Sequence, residues 1–334
     1  MTVEELSKLN RILIIRLSSL GDILLTTPFI RAIKTQFPHI KIDMLIKKEY
    51  ADVIKLNPYI NNKLFFKKDN DDNNSLIEQL RNNNYELVID LQNNLRSNKI
   101  TSSLKLNKVK FNKRSFDKFL LVNFKINKLR EAQPIPIRYA NTIQNIKLDK
   151  QGLDLFTNKS ANPAIINKNN LIGFCPGARH FTKRWLKEYF IELGNKLVQN
   201  GYLIVLFGGK IDKEICTELA VKISGAINLS NEDDLLQTAA DMKLCKAIVC
   251  NDSGLMHTAS AVGKKVIAIF GSTVKEFGFI PFNCDRLILE NNLLTCRPCS
   301  HIGRGDCPKK HFECMKSIKP EFVFEQLKSF LNTK

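Results

Sequence analysis

The stretch Ala247-Ile248-Val249-Cys250-Asn251-Asp252-Ser253-Gly254-Leu255-Met256-His257 reads as a strand that ends in a tight turn and opens a helix. A second apolar run at 266–270 supplies the next strand. Strand, turn, helix, strand is the repeating unit of an open α/β sheet. Gly254 at the turn lets backbone approach a ligand, and the N–H groups at a helix start attract anions such as a diphosphate. Turns at the carboxyl ends of parallel strands are where such sheets hold their ligands. Asp-Ser-Gly is also an ordinary helix start. On its own the segment is either a phosphate site or a plain cap.

The same alternation extends in both directions. Toward the N-terminus, 12–17, 42–46 and 87–91 read as strands, 24–36 as a helix ended by Pro38, and 75–81 as a short helix. The pattern lapses into polar residues at 158–170, a linker with Pro163. It restarts with strands at 171–175 and 202–207 and helices at 185–199, 212–223, 232–242 and 254–262. The expectation is an α/β fold of two Rossmann-like domains facing each other across a cleft, with parallel sheets and right-handed crossovers. The N-terminal domain is placed at 1–160 and the C-terminal domain at 161–320. The last segment, 321–334, is expected to be a helix crossing back to the first domain.

Bulk properties agree with this size. A chain of 334 residues with 44% hydrophobic content can bury two ordinary cores. The first twenty residues carry only the short apolar run 12–15, so neither a secretory signal nor a spanning helix is expected, and the expected location is the cytoplasm. Nine cysteines in so long a chain suit free thiols better than a disulfide scaffold. Cys296, Cys299, His301, Cys307, His311 and Cys314 crowd one stretch, but their spacing is not one of the strong zinc patterns. Free or packing thiols are preferred there to a structural zinc.

The net charge of +18 is uneven, with +12 in residues 1–165 and +6 in 166–334. Residues 96–130 hold eleven basic residues against the single acid Asp117. A field of that sign recruits nucleic acid, acidic lipid or a phosphorylated substrate, although scattered lysines on a solvated face would look similar.

Two further loops carry chemistry. Ser18-Ser19-Leu20-Gly21-Asp22 follows the first strand and lacks the G-x-G-x-x-G spacing of dinucleotide binding. Asp22 there is either a carboxylate for a substrate proton or a partner of the helix dipole. Cys175-Pro176-Gly177-Ala178-Arg179-His180-Phe181-Thr182-Lys183-Arg184-Trp185 sets cations beside a glycine turn. Lys183 and Arg184 would neutralise a departing diphosphate, or be solvated charge ahead of a helix with Trp185 in the core.

Taken in order, Ser-x-x-Gly-Asp-x5-Pro at 18–28, Pro-Gly-Ala-x5-Lys-Arg-Trp at 176–185 and Asn-Asp-Ser-Gly-x-x-His at 251–257 resemble glycosyltransferase family 9, the ADP-heptose:lipopolysaccharide heptosyltransferases. The resemblance runs from about residue 11 to 315. Phe-Cys-Pro-Gly-Ala at 174–178 and Cys296-Arg-Pro-Cys299 look most similar to the heptosyltransferase II branch.

The resemblance implies the B-type glycosyltransferase architecture, inversion at the anomeric carbon, no cofactor and no bound metal. It implies Asp22 as general base and Lys183 as stabiliser of the ADP leaving group. Gly21, Gly177, Arg184, Gly208, Gly209, Asp252, Ser253, Gly254 and His257 become donor-binding residues, with His257 equally readable as a packing histidine. Ser18, Ser19, Arg96, Lys99, Lys113 and Arg114 become acceptor-binding residues. The implied reaction moves heptose from ADP-heptose to a lipid A-linked acceptor at the cytoplasmic face of the inner membrane. The basic stretch would then meet acceptor phosphates and the anionic leaflet, with Phe116, Phe119, Leu120 and Leu121 touching lipid. Nucleic acid is not expected as a partner, because no recognition module accompanies the charge. The chain departs from the family after the strand at 202–207, where Gly208-Gly209-Lys210 replaces a usual acid. Asp212 or Glu214 is the candidate substitute, and Lys210 could instead favour a phosphate. Another nucleotide sugar, or a non-catalytic anion-binding protein at the membrane, are the alternative readings.

Overall fold

The computed structural model describes residues 1–67 and 73–332, which form two compact units, each built on an all-parallel sheet. The first unit takes residues 1–115 and 133–156, and the second takes 116–132 and everything from 157 onward. This differs from the domain limits read in the sequence. The partition falls at 156/157, and a piece of the basic stretch belongs with the C-terminal unit.

In chain order the first unit contains α1 (Val3–Leu6), β1 (Arg11–Ile15), α2 (Leu20–Leu24), α3 (Thr27–Gln36), β2 (Lys41–Lys47), α4 (Ala51–Ile54), β3 (Asn62–Phe66), α5 (Asn73–Asn82), β4 (Leu87–Asp90), α6 (Leu95–Leu104) and β5 (Lys108–Lys110). Next comes α7 (Ser115–Phe124), almost all of it in the second unit, and then α8 (Ile135–Ala140), back in the first. The strand order is β3-β2-β1-β4-β5. Strand order reverses between β1 and β4, where Ile15 lies opposite Asp90. The loops after these two strands therefore leave the sheet side by side, and the Ser18 N–H donates to Gln92 Oε1 at 3.1 Å.

The expected helix over 24–36 is two helices. Pro28 has no N–H to return to a preceding turn, so α2 stops at Leu24 and Pro28 sits in the first turn of α3, where its missing donor is harmless. Strands β3 and β5 gave no sequence signal. They are short, and β5 is Lys-Val-Lys at the sheet edge, polar where an edge strand must discourage further pairing.

The second unit contains β6 (Leu171–Cys175), α9 (Lys187–Gln199), β7 (Leu203–Leu206), α10 (Lys213–Lys222), β8 (Ile227–Asn228), α11 (Leu235–Met242), β9 (Ala247–Asn251), α12 (Gly254–Ala261), β10 (Lys265–Phe270), β11 (Arg286–Glu290), α13 (Glu313–Lys316) and α14 (Pro320–Asn332). Its order is β11-β10-β9-β6-β7-β8, with the reversal between β6 and β9. Alternate residues of each strand serve opposite faces. Ile172, Phe174, Val249 and Ile269 enter one core with Trp185 and Phe190, while Leu171, Cys175, Ile248 and Phe270 enter the other with Met242 and Met256. Burial on both faces is why these strands read as continuous apolar runs.

The closing helix differs from expectation. Val323, Phe324 and Leu327 of α14 are buried in the same core as Leu193 and Leu197 of α9, so α14 belongs to the second unit. Residues 333 and 334 of that expected segment lie outside the described residues. Among the described residues no helix is long and apolar enough to cross a membrane.

Candidate active site

In an open parallel sheet the crevice at the strand-order reversal is where ligands bind. Both reversals here carry the loops singled out in the sequence. In the first unit, Ser18 and Ser19 lie in the β1–α2 loop, Gly21 is buried in α2, and Asp22 is the third residue of that helix. Asp22 accepts from the Ser19 N–H at 3.1 Å and from Ser19 Oγ at 2.7 Å, and its other oxygen is ion-paired with Arg16. Arg16 is itself buried, donates to the Leu91 carbonyl and lies 5.7 Å over the Tyr139 ring. The carboxylate is thus held in one orientation from two sides.

Lys113 lies within electrostatic reach of the same group. Burial first, and then the Arg16 charge, push the Lys113 ammonium below its ordinary value, while Asp90 and Asp22 oppose the shift. The other expected acceptor residues are less concentrated. Arg96 and Lys99 are exposed on α6, and Arg114 follows Lys113 with its N–H bonded to Asn112 at 2.8 Å.

In the second unit the β6 and β9 loops are fastened together by Asn251. Its Oδ1 accepts the Trp185 N–H at 2.9 Å and its Nδ2 donates to the Pro176 carbonyl at 2.7 Å. Leu186 is the extended N-cap of α9, which begins at Lys187 rather than at 185. Lys183 Nζ then lies 2.7 Å from Asp252 Oδ2, which also accepts from Thr273 Oγ1 at 2.7 Å. Ser253 is the N-cap of α12, with its hydroxyl unused by the helix, and Gly254 opens the first turn. His257 is buried on α12, 4% exposed. His180, among Arg179, Lys183 and Arg184, is pushed below the usual imidazole value by burial first and then by these cations.

Arg184 turns back to the Ala178 carbonyl at 2.7 Å and lines a cavity of about 140 Å³ with Gly177, Lys187, Asp212 and Glu214. A Cβ at Gly177 would fall 2.1 Å from Asp212 Oδ1, so any side chain there would displace the Asp212 carboxylate. Asp212 is held above the usual carboxylate value by burial, against the Gly209 N–H and the Arg184 charge. Gly208 is buried, and a Cβ at Gly209 would meet Asp233 Oδ1 at 2.2 Å. Lys210 is exposed. All nine cysteines are thiols, and Cys296 Sγ lies 3.9 Å from His311 Nε2. Among the described residues no three His, Cys, Asp or Glu side chains converge in a metal-holding group.

The arrangement pairs a cation with a glycine-led helix start at a strand-order reversal, which is what a diphosphate requires. The model of glycosyltransferase family 9 (heptosyltransferase) matches residues 74–304. The chain belongs to glycosyltransferase family 9. It is a glycosyltransferase, and relatives elsewhere in the family bear this out. The chain is 32% identical over 221 residues, 62% of its length, to lipooligosaccharide heptosyltransferase 2 of Campylobacter jejuni serotype O:2, and spans 67% of that protein. Against lipooligosaccharide heptosyltransferase 2 of Haemophilus influenzae it is 25% identical over 364 residues, covering 96% of this chain and 99% of that one. The solved structure of Escherichia coli ADP-heptose LPS heptosyltransferase II superposes with a TM-score of 0.73 at 24% identity, covering 96% and 98% of the two chains.

Arg16, Asn251, Thr273 and Arg297 were not singled out for roles in the sequence. Arg16 lies two residues ahead of the first motif, and Asn251 opens the third. Thr273 follows Phe270-Gly271, a strand-glycine ending like those of the other loops, and that was the available signal. Arg297 lies within the quoted Cys296-Arg-Pro-Cys299, where nothing marked the arginine itself.

Proposed function

We propose that this family 9 enzyme transfers heptose from ADP-heptose to the lipid A-linked inner core of lipopolysaccharide, with inversion at the anomeric carbon. The observation that carries the reading is the Lys183–Asp252 pair at the start of α12, with Gly177 and Arg184 on the adjoining loop. The second unit holds the donor. Backbone N–H groups at Ser253 and Gly254 take a phosphate, Lys183 takes the charge that develops on the departing ADP, and Asp212 serves the ribose in place of the acid usual after β7. The first unit supplies the base. Asp22, oriented by Arg16 and Ser19, accepts the proton of the acceptor hydroxyl as its oxygen bonds to the anomeric carbon. The bond from that carbon to the diphosphate breaks on the opposite side, and ADP leaves with the electron pair. One displacement at one face inverts the centre. Lys113, close to Asp22, would meet a phosphate or acidic sugar of the acceptor, with Arg96, Lys99 and Arg114 further along the basic stretch.

The relatives named heptosyltransferase 2 support assignment to that branch. A different nucleotide sugar is the second reading, favoured by Gly208-Gly209-Lys210 where an acid is usual. The test is turnover by the purified protein with ADP-heptose and a lipid A-linked inner-core acceptor. Heptose-extended acceptor and free ADP are expected. Absence of transfer, or transfer only from another nucleotide sugar, overturns the reading.

The partner surface we propose is an anionic leaflet, placing the enzyme in the cytoplasm against the inner membrane. Phe116, Phe119 and Phe124 of α7 are 66%, 52% and 61% exposed; Phe116 and Phe119 share a helix face, and the Phe124 ring lies 5.8 Å from the Phe119 ring. Along the sequence, residues 113–130 carry six basic side chains and one acid. Exposed aromatics within a basic stretch suit the interface of an acidic bilayer. The expectation for Leu121 is corrected. It turns inward onto Leu129, Val274 and Phe277, while Phe124 and Ile126 face outward.

A further inference from the structure

Arg297 is 8% exposed and one guanidinium serves five acceptors. It donates to the carbonyls of Phe270 at 3.3 Å, Thr273 at 2.8 Å and Asn291 at 2.6 Å, to the Gly271 carbonyl, and to Glu290 at 2.8 Å. Three of these carbonyls belong to the last residue of β10 and to the residues 271–273 that follow it, ahead of the short 3-10 turn at Lys275–Phe277. A planar fork of donors is suited to fastening such a segment. The segment ends at Thr273, 2% exposed, whose hydroxyl donates to Asp252 Oδ2 at 2.7 Å. The same oxygen faces Lys183 Nζ at 2.7 Å. The other side of the Lys183 loop is fixed too. The Thr182 N–H donates to the Arg304 carbonyl at 3.1 Å, the Arg304 N–H to Thr182 Oγ1 at 2.8 Å, and the Ser272 N–H to the Thr182 carbonyl at 3.3 Å.

We propose that Thr273 is a positioning residue for the Lys183–Asp252 pair, and that Arg297 holds Thr273 in place. An incoming diphosphate and Asp252 both attract the one ammonium. The Thr273 hydroxyl gives Asp252 a second partner and fixes its orientation, so that Lys183 spends one N–H on the carboxylate and directs the other two at the terminal phosphate. Neither residue touches the nucleotide in this scheme. The inference rests on the donor reading above for the identity of the nucleotide, and on the geometry alone for the relay.

The test is a double-mutant cycle on ADP binding by the full-length protein, with Thr273→Val and Lys183→Met singly and together. Loss of a hydrogen bond to a charged group predicts weakening of ADP by about tenfold in Thr273→Val. In the Lys183→Met background the same substitution should change affinity less than about twofold, because its effect passes through the ammonium. Thr273→Ser, which keeps the hydroxyl, should bind as wild type does. Equal losses with and without Lys183 would show a merely structural threonine and overturn the proposal, as would no loss in Thr273→Val alone. Should the wild type bind UDP or GDP and ignore ADP, the donor reading falls, and the same cycle run with the bound nucleotide decides the relay. A wild type that binds no nucleoside diphosphate overturns both.

Discussion

Asn251 shows how much of the candidate site depends on one side chain. It is fully buried and satisfies one N–H and one carbonyl of the neighbouring loop, Trp185 and Pro176. Asn251→Ala leaves both without a partner in a dry interior, at a cost of about 2–4 kcal/mol. Chemical denaturation should show the loss in the second unit, together with weaker nucleotide binding, since the loop carrying Lys183 is released. Unchanged stability would mean that the loops are held by other contacts. At this scale the sequence was informative where chemistry is contiguous. Asp22, Lys183 and Asp252 stood out because each lies in a glycine-containing loop that follows a strand. The partners that orient them were not legible. Thr273 is 21 positions from the carboxylate it bonds, and Arg297 acts on backbone carbonyls, which leave no trace in residue type.

Among the elements, α7 is the one whose surroundings change its meaning. The sequence set Phe116, Phe119, Leu120 and Leu121 together against lipid, whereas in the structure Leu121 is buried and Phe116, Phe119 and Phe124 are exposed. Replacing Phe116, Phe119 and Phe124 together with Ser removes no core contact and should abolish most binding to vesicles of acidic phospholipid, measured by sedimentation, while turnover on a soluble truncated acceptor is retained. Vesicle binding equal to wild type would contradict the membrane surface, and binding lost only for vesicles containing acceptor would make the face a lipid subsite instead. The same gap between pattern and packing explains the helix ends. Pro28 and the extended N-cap Leu186 set the starts of α3 and α9 a few residues later, and the polar edge strand β5 escaped notice because nothing apolar announces an edge.

For the whole molecule, the alternation of strand and helix was enough to give two parallel sheets, because strands buried on both faces must be apolar throughout. Strand order was not legible, and it is what gives the motifs their place. Both sheets reverse direction beside the marked loops, between β1 and β4 and between β6 and β9. The segment 116–132 and α14 were assigned to the wrong unit, since partner choice between two cores of like composition is a tertiary matter. In the proposed mechanism the first unit takes the proton and the second takes the leaving group. This division is tested most directly by Asp22→Asn, with turnover on ADP-heptose and donor binding measured on the same preparation. Loss of the base predicts a fall in kcat of about a hundredfold or more with donor affinity nearly unchanged. Transfer at the wild-type rate by Asp22→Asn would contradict it.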